Sequence, residues 1–248
     1  MANWDWQVFC KNTIDGEVVS SCFGSGGDIT YLDWMLSAWG WTVSVSLLSL
    51  AVALVFGSLM GILRTTPSRS LVFLGNAWTE LFRNIPLLVQ IMLWYHVLPA
   101  VIPALKDVPS FLLVVAALGL FTSARISEQV RAGIQSLPRG QRMAAQAIGF
   151  TLPQTYRYVL LPMAFRIIIP PLTSESMNIV KNSSVAFAVS ISELTLFALQ
   201  AQEETSRGIE IYLGVTALYF ITAFAINRVL HFIEQRVQVP GLIAAGGK

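Results

Sequence analysis

The segment from Trp34 to Leu63 contains no ionisable side chain, and this uninterrupted apolar run limits the possible folds more than any other feature. A helix that crosses the hydrocarbon core of a bilayer needs about 20 predominantly apolar residues, and the run is longer than that. Only 12% of the whole chain is charged and 54% is hydrophobic, whereas a soluble domain carries about 25% charged residues. The composition excludes disordered and collagen-like chains, and it argues against a nucleic-acid partner.

The same length criterion predicts an all-α membrane protein with five spans, at about 35–63, 81–105, 108–126, 167–192 and 209–232. The fourth span is the least regular, because two prolines, Glu175 and Lys181 interrupt an otherwise apolar segment. The first span begins too far into the chain for a secretory signal peptide, so we expect the N-terminal segment, 1–33, to be retained.

Arginines are concentrated in one connection, and their distribution predicts the orientation of the chain. The segment between spans three and four, 125–166, contains six arginines and the single acid Glu128. Cytoplasmic loops carry the excess of basic residues, so this segment is expected in the cytoplasm. With five spans, the acidic segment 1–33 then lies outside the membrane, and the tail, 237–248, lies in the cytoplasm.

The N-terminal segment contains both cysteines of the chain, Cys10 and Cys22. An oxidising extracytoplasmic compartment would allow them to form a disulfide that closes a small loop. Two buried free thiols are the alternative, and the sequence leaves both open.

The sequence contains no motif that would give the chain a chemical reaction of its own. A G-x-x-x-x-G-K-[ST] phosphate-binding loop is missing, so any ATP and Mg²⁺ must be bound by a partner. His96 and His231 are the only histidines, and neither belongs to a metal-binding pattern. We therefore expect no catalytic residue, no metal and no cofactor on this chain.

The cytoplasmic segment predicts a short surface helix, the coupling segment, at about 136–150. Pro138 breaks the preceding helix and suits the first turn of a new one, and Gly149 suits its C-cap. The residues Gln141–Ile148 between them favour helix. Ala144 and Ala145 are small, and small side chains on an exposed helix allow another protein to approach closely.

Around this helix the sequence resembles the cytoplasmic signature of ABC importer membrane subunits: Glu-Ala-Ala, three residues, Gly, nine residues, Ile, one residue, Leu-Pro. The matching positions are Ala144, Ala145, Gly149, Leu161 and Pro162, with Val159 in place of the isoleucine and Met143 in place of the glutamate. Four further segments resemble the polar amino-acid uptake permeases, especially glutamate/aspartate permease subunits: Glu80–Gln90, Glu128–Gln141, Leu152–Pro162 and Thr173–Ser184. The similarity extends from about Trp39 to Gly241.

This resemblance implies an ABC type I importer fold with five transmembrane helices in the bacterial inner membrane, surrounded by lipid. It also implies three kinds of protein partner: a second permease subunit, a dimer of ATP-binding subunits and a periplasmic solute-binding protein. The residues expected to contact the ATPase are Pro138, Arg139, Gln141, Met143, Ala144, Ala145 and Gly149.

One face of the fourth span is polar. At about 100° per residue, the following residues fall within an arc of roughly 120°: Ser174, Glu175, Asn178, Lys181, Asn182 and Val185. Ionisable groups within a membrane are costly and mark a pathway or a partner. Lys181 and the asparagines are therefore candidates for holding an amino acid's carboxylates, and Glu175 for meeting its ammonium or neutralising Lys181. The alternative is that these side chains only hold helices or subunits together.

Arg83 is a further candidate for guiding an anionic substrate, with Pro86 interrupting its helix. Glu80 and Arg83 are three residues apart, so simple pairing on a helix is the alternative. The predicted substrate pathway consists of Arg83, Pro86, Gln90, Glu175, Asn178, Lys181, Asn182 and Ser183. In the first span, Gly57 and Gly61 have the small-x-x-x-small spacing that predicts close helix packing.

These features predict the permease subunit of an ATP-driven importer that moves an amino acid, expected to be glutamate or aspartate, by alternating access. An ion-coupled secondary amino-acid transporter, with Glu175 as the coupling carboxylate, is the alternative. Such transporters often contain an internal repeat of spans, and the five segments show none. The alternative also gives the segment 125–166 no role.

Overall fold

A computed structural model of the protein describes residues 4–25 and 28–237, so most of the predicted tail lies outside the described residues. In this part the chain is helical, and the only β-type pairing consists of two isolated bridges, Lys11 with Val18 and Asn12 with Thr30. The main helices are α1 (Tyr31–Leu63), α2 (Arg69–Asn84), α3 (Leu87–Val101), α4 (Ser110–Gln135), α5 (Arg139–Ala147), α6 (Leu152–Val189), α7 (Leu194–Thr205) and α8 (Gly208–Val237).

Three of the described helices, α1, α4 and α8, are each long and apolar enough to cross a membrane. The number rises to five if the bent pairs α2–α3 and α6–α7 each form one span. α1 begins slightly before the predicted span because Thr30 and Asp33 form a capping box. α4 continues to Gln135, past the predicted boundary at 126, so Glu128 lies on the same helix as the third span.

The second predicted span, 81–105, is not a single helix, because α2 and α3 are bent by 101°. Pro86 lies at the break, where it has no N–H to donate and disfavours helix at the preceding residue. Gln90 is buried, and its Nε2 donates to the carbonyl oxygens of Phe82 and Ile85, at 2.8 and 2.9 Å. This amide satisfies carbonyls that the interrupted helix leaves without a backbone partner.

The fourth predicted span, 167–192, is the second half of a longer and less regular helix. α6 passes through a π-helical turn at Tyr156–Leu160 and tightens into a 3-10 segment at Ser183–Val189. α7 then departs at 54°. Glu193 is fully buried at this bend, and its carboxylate accepts hydrogen bonds from two backbone N–H groups of α7 and from the Tyr219 hydroxyl of α8. The bend is thus fixed to α8.

The centre of the bundle is the packing of α1 against α4. A β-carbon placed on Gly57 would lie 2.6 Å from Cβ of Ile126, and one placed on Gly61 would lie 2.6 Å from Cβ of Val130. Only glycine permits the two helices to approach this closely. The close packing predicted for this glycine pair is confirmed.

The described residues that precede α1 form a small unit, which we call the N-terminal cap. Cys10 and Cys22 form a disulfide, the first of the two states that the sequence left open. Val8 is fully buried in a cluster shared by α1, α7 and α8. The backbone N–H of Asp5 donates to the Glu210 carboxylate of α8 at 2.8 Å. The cap therefore joins the beginning of α1 to α7 and α8.

Candidate functional site

Charged side chains from four helices meet inside the bundle, and we call them the bundle charge cluster: Arg64, Glu80, Arg83, Arg125, Glu128 and Glu175. Arg64 follows the last turn of α1, and its side chain is only 4% exposed. Its Nη2 donates to Glu128 Oε1 at 2.9 Å, and its Nε donates to Asn76 Oδ1 at 2.8 Å. Its Nη1 lies 3.2 Å from the hydroxyls of Thr79 and Ser127. One guanidinium thus connects α1, α2 and α4.

Arg83, near the end of α2, reaches the same Glu128 carboxylate from the exposed side. Its Nη1 lies 3.3 Å from Glu128 Oε1, and its Nη2 lies 2.7 Å from Glu80 Oε1. The pairing of Glu80 with Arg83, considered above as the alternative to a pathway role, is therefore present. Because 47% of the Arg83 side chain stays exposed, its guanidinium remains accessible to a ligand.

Glu175 is paired across the bundle and not along its own helix. Its Oε2 lies 3.5 Å from Nη1 of Arg125 on α4. Neutralisation of Lys181 by Glu175 is not observed, since Lys181 is exposed and forms no ion pair within the described part of the chain. The Glu175 side chain is 11% exposed and that of Arg125 is 46% exposed, so the carboxylate is the more buried partner.

A cavity of about 400 Å³ lies among these groups, lined by Arg83, Phe121, Arg125, Glu128, Gln129 and Glu175. Pockets for small ligands begin at about 300 Å³. Two guanidinium groups can donate to a carboxylate, and two carboxylates can accept from an ammonium. The side-chain oxygen of Gln129 is buried and has no hydrogen-bond partner among the described residues, so it is a further acceptor. The arrangement suits a small zwitterion.

Among the other predicted pathway residues of α6, Asn178 contacts the Glu175 carboxylate, whereas Lys181, Asn182 and Ser183 are not part of the cavity lining. Asn178 and Asn182 are half-buried, and Lys181 is exposed. Ser183 is buried and donates to the Val180 carbonyl oxygen at 2.7 Å. The structure therefore brings Glu175, with Asn178 beside it, into the cavity lining that contains Arg83, and leaves the other residues of the polar α6 face outside it.

Pro86 and Gln90 also lie outside this cavity lining, at the α2–α3 break. Gln90 is 2% exposed, and its amide nitrogen is used by backbone carbonyls. In this structure these two residues shape the chain and do not face the cavity. Residues 4–25 and 28–237 contain no group of three or more His, Cys, Asp or Glu side chains that could hold a metal ion.

The predicted coupling segment contains α5, which follows Pro138 and begins at Arg139. Gly149 has the left-handed backbone conformation, at φ 91°. Its N–H donates to the Gln146 carbonyl at 3.0 Å, and the next N–H donates to the Ala145 carbonyl at 3.1 Å. These two bonds form a Schellman motif, so the glycine C-cap predicted from the sequence is confirmed.

The two alanines of α5 have different environments. Ala144 is exposed, whereas Ala145 is 3% exposed and faces the bundle. The expectation that both lie on an exposed docking face is wrong for Ala145, because a nine-residue amphipathic helix that rests on the bundle must bury one side. Met143 of α5 and Ile148, which directly follows the helix, are 65% and 73% exposed. The outward face of α5 therefore exposes apolar side chains beside the polar Arg139 and Gln146. Gln141 is half-buried at the edge of that face.

Arg64, Arg125 and Glu128 were absent from the predicted site. Arg125 and Glu128 are three residues apart, and Glu128 is the only acid among six arginines of the segment 125–166. That spacing on a continued helix was the available signal. The position of Arg64 at the end of an apolar span resembles ordinary interfacial charge, so its burial had no local signal.

The comparisons with known proteins agree with this architecture. The Escherichia coli (strain K12) glutamate/aspartate import permease protein GltJ is 40% identical over 256 residues, which cover 99% of this chain and 99% of that protein. The Bacillus subtilis (strain 168) probable glutamine ABC transporter permease protein GlnM is 34% identical and covers 79% of this chain and 90% of that protein. A crystal structure of an amino acid ABC transporter with histidines has a TM-score of 0.73 at 29% identity, covering 83% of this chain and 95% of that one.

The resemblance stated from the sequence motifs is confirmed by these relatives, and the fold is that of an ABC type I importer permease. Residues 53–239 match the family described as the inner membrane component of binding-protein-dependent transport systems. The matched range begins within α1 and ends just past α8. The chain is a multi-pass membrane protein that belongs to this family.

Proposed function

We propose that this chain is the permease subunit of an ATP-driven importer that moves glutamate or aspartate across the bacterial inner membrane by alternating access. The observation that carries the proposal is the cavity of about 400 Å³ whose lining offers two guanidinium groups and two carboxylates. The near full-length similarity to a glutamate/aspartate permease supports the acidic cargo. The similarity to a probable glutamine permease supports only the broader proposal that the substrate is an amino acid.

An amino acid would bind by exchanging ion pairs inside the cavity. Arg125 holds Glu175 at 3.5 Å, a distance at which the hydrogen bond is weak. A substrate carboxylate would accept a two-pronged bond from the Arg125 guanidinium and leave Glu175 to accept from the substrate ammonium. Arg83, held by two carboxylates yet half-exposed, would take the second carboxylate of an acidic amino acid.

The exposed apolar face of α5, around Ala144, is the surface that would contact a partner ATPase, which binds ATP and Mg²⁺. The proposed complex also contains a second permease subunit, a dimer of ATP-binding subunits and a periplasmic solute-binding protein. The Cys10–Cys22 disulfide supports an extracytoplasmic N-terminus, because disulfides persist in oxidising compartments. With an odd number of spans, α5 then faces the cytoplasm.

The test is uptake of labelled glutamate into proteoliposomes that contain this chain with its partner permease, ATPase and binding protein. We expect uptake that requires ATP and is blocked by excess unlabelled aspartate but not by arginine. Arg125→Gln is expected to reduce uptake at least tenfold, since a charge-assisted contact is worth about 1.5–3 kcal/mol. Lys106→Gln, which removes an exposed cation from the α3–α4 connection, is the matched control.

Two outcomes would contradict the proposal. Uptake by this chain alone, driven by an ion gradient without ATP, would favour a secondary transporter. ATP-dependent uptake that ignores aspartate would retain the importer and remove the acidic cargo.

A further inference from the structure

A second cavity, of about 500 Å³, lies between α5 and the bundle, and we call it the α5 cavity. Its lining includes Thr65, Gln135, Arg139, Arg142, Tyr156 and Leu160. It is separate from the bundle charge cluster, whose cavity has no lining residue in common with it. Two of its lining residues, Pro138 and Arg139, are among the expected ATPase contacts, but the proposed transport function gives the cavity itself no role.

The lining of the α5 cavity contains two arginines and no carboxylate. Over residues 4–25 and 28–237, neither Arg139 nor Arg142 forms an ion pair. The nearest acid in the sequence, Glu128, is already held by Arg64 and Arg83. An uncompensated pair of guanidinium groups beside a cavity attracts an anion, because each can donate two parallel hydrogen bonds to it.

The neutral walls of the α5 cavity are firmly placed. The Tyr156 hydroxyl donates to the Thr65 backbone carbonyl at 2.7 Å, and the two side-chain oxygens lie 3.0 Å apart. This contact joins the loop after α1 to α6. Leu160 adds a buried apolar surface. The cavity thus offers cations at one side and an apolar wall at the other.

The occupant of the α5 cavity differs from whatever docks on the outer face of α5. At 100° per residue, the exposed residues of α5, which include Arg139, Met143 and Ala144, fall within an arc of about 160°. Arg142 falls outside that arc, on the side where Ala145 is buried, and Arg139 lies near the edge of the arc that is closest to Arg142. Arg142 therefore points between the helix and the bundle, where a partner on the outer face leaves it unpaired, and Arg139 lines the same cavity from the exposed edge of the helix.

The α5 cavity lies beside the ends of α1 and α4, where we expect the lipid headgroups. Thr65 comes two residues after the end of α1, and Gln135 is the last residue of α4. Both helices are among those long enough to cross the membrane, so their ends reach the interface. Basic pockets between helix ends on the cytoplasmic side are known to take anionic headgroups.

We infer that the α5 cavity binds a phosphate group through Arg139 and Arg142, supplied either by an anionic phospholipid or by free phosphate. The inference goes beyond the transport proposal, and its test needs no uptake. Occupancy would hold α5 at a fixed distance from the bundle. The lipid composition of the membrane would then determine the position in which the outward face of α5 is available to a partner protein.

The test measures lipid retained by the full-length chain, purified with its partner subunits in a neutral detergent. Native mass spectrometry compares the number of phosphatidylglycerol and phosphatidylcholine molecules that remain bound. Binding of free phosphate is measured separately, as the difference in melting temperature between inorganic phosphate and chloride at equal ionic strength. We expect phosphatidylglycerol to be retained by the wild type and bound about thirtyfold more weakly by the Arg139→Gln, Arg142→Gln double variant. Arg157→Gln is the matched control, because Arg157 is exposed outside the cavity lining.

The Arg139→Lys, Arg142→Lys variant keeps both charges and is expected to retain most of the binding. If the glutamine variant fails to purify, the lysine variant and a single Arg142→Gln change carry the test. Stabilisation by inorganic phosphate without retained phosphatidylglycerol would identify free phosphate as the source. Equal phosphatidylglycerol retention and phosphate stabilisation in the wild type and the glutamine variant, or equal losses in Arg157→Gln, would overturn the inference.

Discussion

The bundle charge cluster and the α5 region use the same residue type in opposite ways. Inside the bundle, Arg64, Arg83 and Arg125 each have a carboxylate within 3.5 Å. Beside α5, Arg139 and Arg142 have none in the described part of the chain. For Arg64, which is 4% exposed, the pairing follows from the cost of an isolated buried charge, whereas Arg83 and Arg125 are about half-exposed and pair with carboxylates that line the same cavity. Paired arginines hold the fold, and unpaired arginines remain free for molecules outside the chain.

The largest expected effect is on Arg64, the most buried of the paired arginines. Arg64→Ala removes the closer of the two guanidinium donors to the Glu128 carboxylate and the donor to two hydroxyls, and is expected to cost about 3 kcal/mol of unfolding free energy. Thermal melting of the purified chain in detergent checks this. Arg69→Ala, at an exposed position of α2, is the control. Equal melting of both variants would show that burial does not distinguish the arginines.

Substitutions at the two alanines of α5 are expected to affect different properties, docking of the ATPase in one case and folding of the chain in the other. Ala144→Arg is expected to abolish ATP-dependent uptake while the chain melts normally, because the side chain extends into solvent where the ATPase is proposed to bind. Ala145→Arg is expected to lower the melting temperature, because the new charge enters a site that is 3% exposed. Co-purification of the ATPase and thermal melting distinguish the two. Normal uptake by Ala144→Arg would remove α5 from the coupling role.

The Arg125–Glu175 pair tests whether a paired charge in the bundle also serves transport. Glu175→Gln removes the acceptor proposed for the substrate ammonium and is expected to reduce uptake about tenfold, mainly through a higher KM. Exchanging the two residues, Arg125→Glu with Glu175→Arg, keeps an ion pair at this position. We expect the exchanged variant to be as stable as the wild type but not to regain its uptake. If the exchange restores both, the pair is structural only.

The unpaired arginines should matter little for stability. In neutral detergent without anionic lipid, the Arg139→Gln, Arg142→Gln variant is expected to unfold within about 0.5 kcal/mol of the wild type. Chemical or thermal unfolding measures this. A loss comparable to that of Arg64→Ala would mean that these arginines have partners within the chain and would end the comparison.

The smallest effect concerns the N-terminal cap, where Lys11 Nζ lies 3.0 Å from Asp5 Oδ2. This hydrogen bond lowers the pKa of the Asp5 carboxyl below its usual value. Because the pKa of Asp5 is lower in the folded state than in the unfolded state, its ionised carboxylate stabilises the folded state fully above the unfolded-state pKa, about 3.9. This stabilisation is lost as the pH falls through the folded-state pKa. The protection of the cap amides against hydrogen exchange, taken relative to the intrinsic exchange rate at each pH, should therefore fall slightly at acid pH, and Asp5→Asn should remove that pH dependence.

Apolar length and motif spacing were enough to predict the helical membrane fold, the Gly57–Gly61 packing and the Gly149 cap, because each depends on neighbours in sequence. The bend at Pro86 was foreseen as an interruption but not as a turn of 101°, since its angle depends on how Gln90, after the break, pairs with the Phe82 and Ile85 carbonyls before it. The charge pairs were missed where they join helices far apart in the chain. Arg64 and Glu128 are 64 residues apart, and no local pattern records such a contact.

The glycine contact between α1 and α4 has a mechanical consequence. Two helices whose backbones touch at Gly57 and Gly61 cannot slide or separate without losing a closely fitted surface, so we expect them to move as one rigid block. Any change of shape during transport must then occur at the two bends, between α2 and α3 near Pro86 and between α6 and α7 near Ser190. Spin labels on α1 and α4 should keep a constant separation through the cycle, whereas labels placed across either bend should not.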